Sequence, residues 1–360
     1  MKNLNVLIKP ASSLCNLRCR YCFYHDVAAN RDVPSTGVMS EEDTNLLIRR
    51  IAEYLEEEGT ANIAFQGGEP TLAGVEWFTH FTKKMEEYPN VKVNYFLQTN
   101  ATLLNEEWAS LFRKYHFLIG VSIDGYQANM DHFRYDAFKR GVYYKVLNGI
   151  DLLKKAGVDF NILTVVTADL ARHPKALLNW VIEHHFEYLQ LIPCLPGLEE
   201  KDSEIALTPR LYASFYREFF KEWKSALLKG RFVNVNLFEH LTGILEGYPP
   251  YQCGMIGKCV IQYVIEGNGD VYPCDFYCLD EYCLGNLKKL SLKEMTESAR
   301  GKHFLEGSEC RKRTCMSCPY LYICNGGCRR QNVCYLEEGY CAYKEVLDEI
   351  LPQLDQLRRR

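Results

Sequence analysis

Short β-branched or aromatic runs alternate with longer stretches of helical periodicity through the first half of the chain. Strands are expected at 5–9, 62–66, 92–98, 118–122, 159–165 and 188–192. Between them, near 41–58, 75–87, 105–115, 141–156 and 172–185, apolar residues recur at helical spacing, as Val146, Ile150 and Leu153 do. Six βα units imply a parallel sheet, and the absence of a dinucleotide-binding glycine fingerprint favours a partial, TIM-like (β/α)6 barrel over a doubly wound sheet. A long helix at 209–228 then leads into a stretch of different character, dense in Cys, Gly and Tyr, from about 236. The expected division is therefore a barrel over 1–235, a cysteine-rich domain over 236–342 and a closing helix over 343–360.

Composition narrows the partners. A net charge of -4 and a pI near 6.2, with no sustained basic stripe, exclude the electrostatic footprint of a nucleic-acid binder. No apolar run approaches the roughly 20 residues of a membrane helix, and the opening Met1-Lys2-Asn3-Leu4-Asn5 resembles no export signal, so a cytoplasmic protein, expected as a monomer, follows. Sixteen cysteines in a reducing compartment point to metal binding, not to disulfides. Three stand at 15–22, Cys194 stands alone, and the other twelve fall between 253 and 341.

The chemical motifs fall where strands end. Cys15-x3-Cys19-x2-Cys22 follows the first strand, Gly67-Gly68-Glu69-Pro70 the second, Gln98-Thr99-Asn100 the third and Ser122-Ile123-Asp124-Gly125 the fourth, so they are expected to share one rim. A four-iron cube held by three local thiolates keeps one iron open for a small molecule. Cys259, Gly269, Cys274, then Cys315-x2-Cys318-x5-Cys324-x3-Cys328 and Cys341 form a second pattern, to which Cys253 adds an eighth thiolate. Eight ligands suffice for two fully coordinated cubes, although four-thiolate zinc sites have the same spacing.

The first triad resembles the radical S-adenosylmethionine (SAM) superfamily motif, and the second pattern resembles the SPASM domain. The resemblance implies that the open iron chelates SAM, whose reductive cleavage releases a 5'-deoxyadenosyl radical. It further implies SAM contacts from Tyr21, Gly68, Ser122, Arg134 and Leu195. One auxiliary 4Fe-4S cluster is then held by Cys253, Cys259, Cys274 and Cys328, and another by Cys315, Cys318, Cys324 and Cys341. Cys194, Cys278, Cys283, Cys310 and Cys334 lie outside both patterns and are read as structural thiols.

Four segments resemble the anaerobic sulfatase-maturating enzymes more closely: 8–13, 22–25, 65–70 and 271–277. Those enzymes oxidise a Cys or Ser in a Cys/Ser-x-Pro-x-Arg motif of an unfolded sulfatase to formylglycine. The likeness implies Asp275 as proton acceptor beside Cys274, Tyr24 and Gln66 in the substrate pocket, and an electron donor such as ferredoxin or flavodoxin. A SPASM enzyme that crosslinks a ribosomal peptide is the nearest rival. Only fourteen residues precede Cys15, too few for the peptide-recognition domain many of those carry. A non-catalytic electron carrier or zinc scaffold is a third class, against which the open-coordination triad argues.

Overall fold

The computed structural model describes residues 2–199, 203–306 and 312–359. Contacts divide the chain into two units, the first comprising 1–122, 134–160 and 260–307, the second 123–133, 161–259 and 308–360.

In the first unit, β1 (Asn3–Ile8), β2 (Gly59–Phe65), β3 (Val91–Thr99) and β4 (Leu118–Ser122) pair in parallel in that order. Register decides where the motifs emerge. Ile8 pairs with Phe65 and Phe65 with Leu97, so the segments that follow β1, β2 and β3 leave the sheet at the same end, that of the strand C-termini. The helices between them have chemical start signals: Ser40 caps α2 (Glu41–Leu55) by accepting from the amide of Asp43, and Asn105 caps the later helix 106–114 by accepting from that of Trp108. The core beneath is aromatic. Phe65 is fully buried, with Trp77, Phe78, Phe81, Tyr95 and Phe117 around it at centroid separations of 4.8–6.5 Å. Short strands at 264–265, 270–272 and 285–286 extend this sheet beyond β1, the first of them parallel to it and the other two antiparallel to their neighbours.

In the second unit, strands 160–166, 188–193 and 234–235 are parallel, and the long helix Pro209–Leu228 packs on helices 174–183 and 342–358. Thr208 caps that long helix and Pro209 occupies its first turn, which is why it starts where it does.

All six expected strands are present, each end within about three residues of expectation, and the helix at 209–228 has the expected bounds. Among the helices that went unforeseen are α1 (Phe23–Ala29), Gln127–Phe133 and Asn236–Leu245. The first two have only seven residues each, and the third carries apolar residues on most faces, so none shows a clean stripe.

Candidate functional site

The loop after β1 carries Cys15, Cys19 and Cys22, and its shape depends on the paired glycines after β2. A Cβ on Gly68 would stand 2.1 Å from the Leu14 carbonyl oxygen, and one on Gly67, at φ 114°, 2.7 Å from that of Ser12. With neither present, the amides of Gly68 and Glu69 donate to Ser12 and Leu14 at 3.0 and 2.8 Å and lock the thiol loop to the next strand end. Glu69, buried, extends the clamp by accepting from Thr71, Thr99 and the Asn100 amide, and the Asn100 side chain donates back to Asn16 at 2.9 Å. Three of the rim motifs are thus one hydrogen-bonded assembly.

None of the three thiols is joined in a disulfide. Burial pushes Cys15 up to about 11 against the opposing amide of Leu17 at 3.4 Å, and burial also raises Cys22 against the amides of His25 and Tyr24 at the start of α1. Partly exposed sulfurs that receive backbone amides but stay protonated on their own suit a cationic iron group that would draw them into the thiolate form. Arg134, 7 % exposed, lies with its guanidinium 5.3 Å over the Tyr21 ring and Nη1 3.9 Å from Cys19 Sγ, and Ser122 closes β4. Tyr21, Gly68, Ser122 and Arg134 therefore all lie in the unit that holds the triad, and Leu195 lies in the other.

Beside the triad lies a buried set of charges. Tyr24 donates to Asp275 Oδ2 at 2.6 Å and lies 3.0 Å from Gln66 Oε1. Asp275 Oδ1 is buried and, among the described residues, has no hydrogen-bond donor in hydrogen-bond geometry; it lies 3.3 Å from Lys9 Nζ. Lys9 also reaches Glu266 at 3.7 Å and donates to Cys278 Sγ at 3.2 Å. Glu266 is held in turn by Arg31 at 2.7 Å and by the Ser12 hydroxyl at 2.7 Å. Burial alone would lower Lys9, but the negative charges facing it outweigh that and hold the ammonium above its ordinary range. Burial raises Cys278 to about 12, so at neutral pH it meets Lys9 as a thiol and the two carboxylates do the pairing. Burial, reinforced by Asp275, lifts the Tyr24 phenol well above its usual value, so Tyr24 is a hydrogen-bond donor here and not a base.

The expected pocket residues Tyr24, Gln66 and Asp275 thus converge. Lys9, Arg31, Glu266 and Cys278 were not anticipated, although a lysine beside the apolar run Val6-Leu7-Ile8 was a legible signal of a buried cation.

In the second unit, Cys315, Cys318, Cys324 and Cys341 line one cavity of about 110 Å³. That is far above the roughly 10–15 Å³ a single water occupies. Among the described residues no three His, Cys, Asp or Glu side chains converge tightly enough for one metal ion, so these thiols surround a space and not a point. Cys253, Cys259 and Cys328 form a second group: burial, then the neighbouring Cys328 and Cys259, push Cys253 up to about 11. Cys334 is buried and directs its sulfur to the Cys194 carbonyl at 3.5 Å, and Cys310 lies outside the described residues.

Residues 10–204 match the family model of the Radical SAM superfamily, and residues 257–319 that of an iron-sulfur cluster-binding domain, SPASM. The chain is 40 % identical to the cysteine-type anaerobic sulfatase-maturating enzyme of Clostridium novyi over 92 % of its own length and 89 % of the relative's. It is 30 % identical to the serine-type enzyme of Bacteroides thetaiotaomicron over 99 % and 92 %. The solved structure of native anSMEcpe with bound AdoMet and Cp18Cys peptide superposes with a TM-score of 0.90 at 37 % identity, covering 99 % of each chain.

Proposed function

The chain belongs to the anaerobic sulfatase-maturating enzymes of the radical SAM superfamily, and from that membership we propose how its own residues convert a target side chain to formylglycine. It is a radical SAM oxidoreductase built on a TIM-like partial barrel with a SPASM domain, and it uses SAM and three 4Fe-4S clusters. Its substrate is a Cys or Ser side chain in a polypeptide, oxidised to 3-oxoalanine.

We assign Cys15, Cys19 and Cys22 to the SAM-cleaving cluster, with Tyr21, Gly68, Ser122, Arg134 and Leu195 around SAM. Cys253, Cys259, Cys274 and Cys328 then hold one auxiliary cluster, and Cys315, Cys318, Cys324 and Cys341 the other. We propose a division by chemistry into a SAM-binding part over 1–235, a cluster-binding part over 236–342 and a closing helix over 343–360, which does not follow the two contact units. When bound, these groups supply a 5'-deoxyadenosyl radical that takes one hydrogen from the target Cβ and a sink for the second electron.

The protein's own part is acid-base and positional. Asp275 Oδ1, buried and without a hydrogen bond among the described residues, is the atom that accepts the proton from the target thiol or hydroxyl, and this vacancy is the observation that carries the assignment. Tyr24 fixes the other carboxylate oxygen and so holds the carboxylate in place. Lys9 Nζ stands 3.3 Å from Oδ1 itself and pairs its charge without a hydrogen-bond geometry. For a cysteine target, loss of the Cβ hydrogen, the thiol proton and one further electron gives a thioaldehyde, and water replaces its sulfur to yield the aldehyde and sulfide.

The natural target is proposed to be a cysteine, since the identity to the cysteine-type relative exceeds that to the serine-type one. The site works in a reducing cytoplasm as a monomer, on an unfolded sulfatase, with electrons from a carrier protein such as ferredoxin or flavodoxin. Anaerobic incubation of the reconstituted enzyme with SAM, reductant and paired Cys and Ser target peptides tests this by mass spectrometry. Aldehyde should form, faster from Cys. Asp275→Asn should still cleave SAM while aldehyde is lost; undiminished aldehyde would take Asp275 out of the base role, and a crosslinked product would sink the sulfatase assignment.

A further inference from the structure

Cleavage of SAM needs an electron at the cluster held by Cys15, Cys19 and Cys22, so a donor must first prime it, and the surface around the thiol loop is the shortest way to it. Residues 135–141 form a short hairpin, closed by an antiparallel bridge between Tyr135 and Gly141. The hairpin is joined to the thiol loop by a second bridge, Leu17 to Asp136, and by the Arg18 amide donating to the Tyr135 carbonyl at 2.8 Å. Arg18 stands between Cys15 and Cys19 and donates from its guanidinium to the Cys15 and Leu17 carbonyls, each at 2.8 Å. Hairpin and cluster loop are therefore one surface.

Its chemistry is one-sided. Arg18, Arg20, Lys139 and Arg140 are all exposed. The hairpin's carboxylate, Asp136, is 8 % exposed and committed to the Phe138 and Arg140 amides and to the Arg140 guanidinium. At the tip Phe138 is 78 % exposed, with Arg140 5.0 Å over its ring. Lys139 adopts φ 59°, where a glycine would be relaxed, so the turn itself gives no reason for a long cationic side chain there.

We propose that this face docks a flavodoxin, with Phe138 against the exposed apolar edge of the flavin and Arg18, Arg20 and Lys139 meeting the acidic rim around it, Arg140 being paired with Asp136. The reduced flavin gives up one electron, the cluster held by Cys15, Cys19 and Cys22 accepts it, and no atom changes hands. A cationic ring around an aromatic centre supplies both steering and a desolvated contact. The inference rests on the cluster assignment above but not on the identity of the peptide substrate.

The test is titration of the reconstituted enzyme with an acidic bacterial flavodoxin at low and at physiological salt, for wild type and for the double variant Phe138→Ala, Lys139→Glu. The variant should bind about tenfold more weakly or worse, and wild-type affinity should fall as salt is raised. In parallel, 5'-deoxyadenosine release driven by flavodoxin hydroquinone should drop in the variant, while release driven by dithionite stays at the wild-type rate. Equal flavodoxin affinity in the two proteins would overturn the proposal. So would an equal loss with dithionite, because the hairpin would then serve the active site itself, or a tight, Phe138-dependent complex with ferredoxin and none with flavodoxin. If aldehyde formation failed while flavodoxin binding behaved as expected, the substrate reading would fall and the docking face would stand.

Discussion

Lys9→Met removes a cation from between two buried carboxylates while nearly preserving its length. At an effective dielectric of about 20, a charge pair at the 3.3 Å separating Lys9 from Asp275 is worth about 5 kcal/mol before desolvation, and one at the 3.7 Å to Glu266 about 4.5 kcal/mol. Arg31 remains 2.7 Å from Glu266, so that acid keeps a partner, but Asp275 loses its cation. Breaking a buried pair from one side costs about 3–5 kcal/mol, and the surviving Arg31 contact places the variant at the lower end. For a cooperative unit of 150–250 residues, about 3 kcal/mol corresponds to a fall in Tm of about 6–12 °C. Wild type and variant are compared by anaerobic thermal unfolding at matched iron content, since cluster binding and folding are coupled. The pH dependence adds a second check. The folded-state pKa of Lys9 is raised above its ordinary 10.5, so its stabilisation is complete below that pH and is lost only as pH rises beyond it. The deficit should accordingly be constant from about pH 6 to pH 9. A Tm within about 2 °C of wild type, or a deficit that shrinks across that range, would refute the pairing scheme.

Tyr24→Phe withdraws the 2.6 Å donor from Asp275. A hydrogen bond to a charged group contributes about 1.5–3 kcal/mol, so aldehyde formation should fall by about 10- to 150-fold with the fold intact; a change below threefold in peptide turnover would contradict this. Cys324→Ala opens one wall of the 110 Å³ cavity, and iron analysis should find about four of roughly twelve iron atoms per chain missing. Retention of all the iron would remove Cys324 from the ligand set. His240 is 1 % exposed, neither ring nitrogen has a hydrogen-bond partner among the described residues, and the residue lines an apolar cavity of about 630 Å³. An unsatisfied buried polar group costs about 1–3 kcal/mol, so His240→Leu should stabilise the protein. Burial holds the imidazole below its ordinary 6.5, which makes wild type lose stability as pH falls through that value while the variant does not. The gap in Tm should widen from pH 7 toward pH 5, and a constant or narrowing gap would show that His240 is already satisfied.

What could be read from the sequence and what could not separates along one physical line. The triad was legible because its ligands lie within eight residues of each other and directly after a strand, so local spacing carries nearly all the information. The parallel sheet was legible for the same reason, each strand and helix having its own periodicity. Asp275 came into view only as the neighbour of Cys274. The charges that surround it did not, because Lys9 meets Glu266 and Asp275 across more than 250 positions and Arg31 meets Glu266 across 235, pairings that exist only once the sheet has brought β1 beside strand 264–265. The paired glycines were read as a ligand turn. Their stricter requirement, room for the Ser12 and Leu14 carbonyls, depends on the close approach of two loops and is silent in the chain.

The same buried set constrains how the proton leaves. With Lys9 and Arg31 protonated and Glu266 and Asp275 ionised, the four groups sum to zero charge, which is what makes their burial tolerable. Acceptance of a proton by Asp275 turns that sum to plus one in a space where neither Lys9, with its pKa raised, nor Arg31 yields its own proton. A positive charge stranded there is costly, so the proton cannot be stored through many turnovers and must pass out before the next substrate binds. Tyr24 is not the exit, because its phenol is held far above neutral and its single proton is donated to Asp275. If Asp275 is the proposed proton acceptor, its Oδ1 has to be the atom through which the proton both arrives and departs, and the site would reset only when water or departing product reached that oxygen.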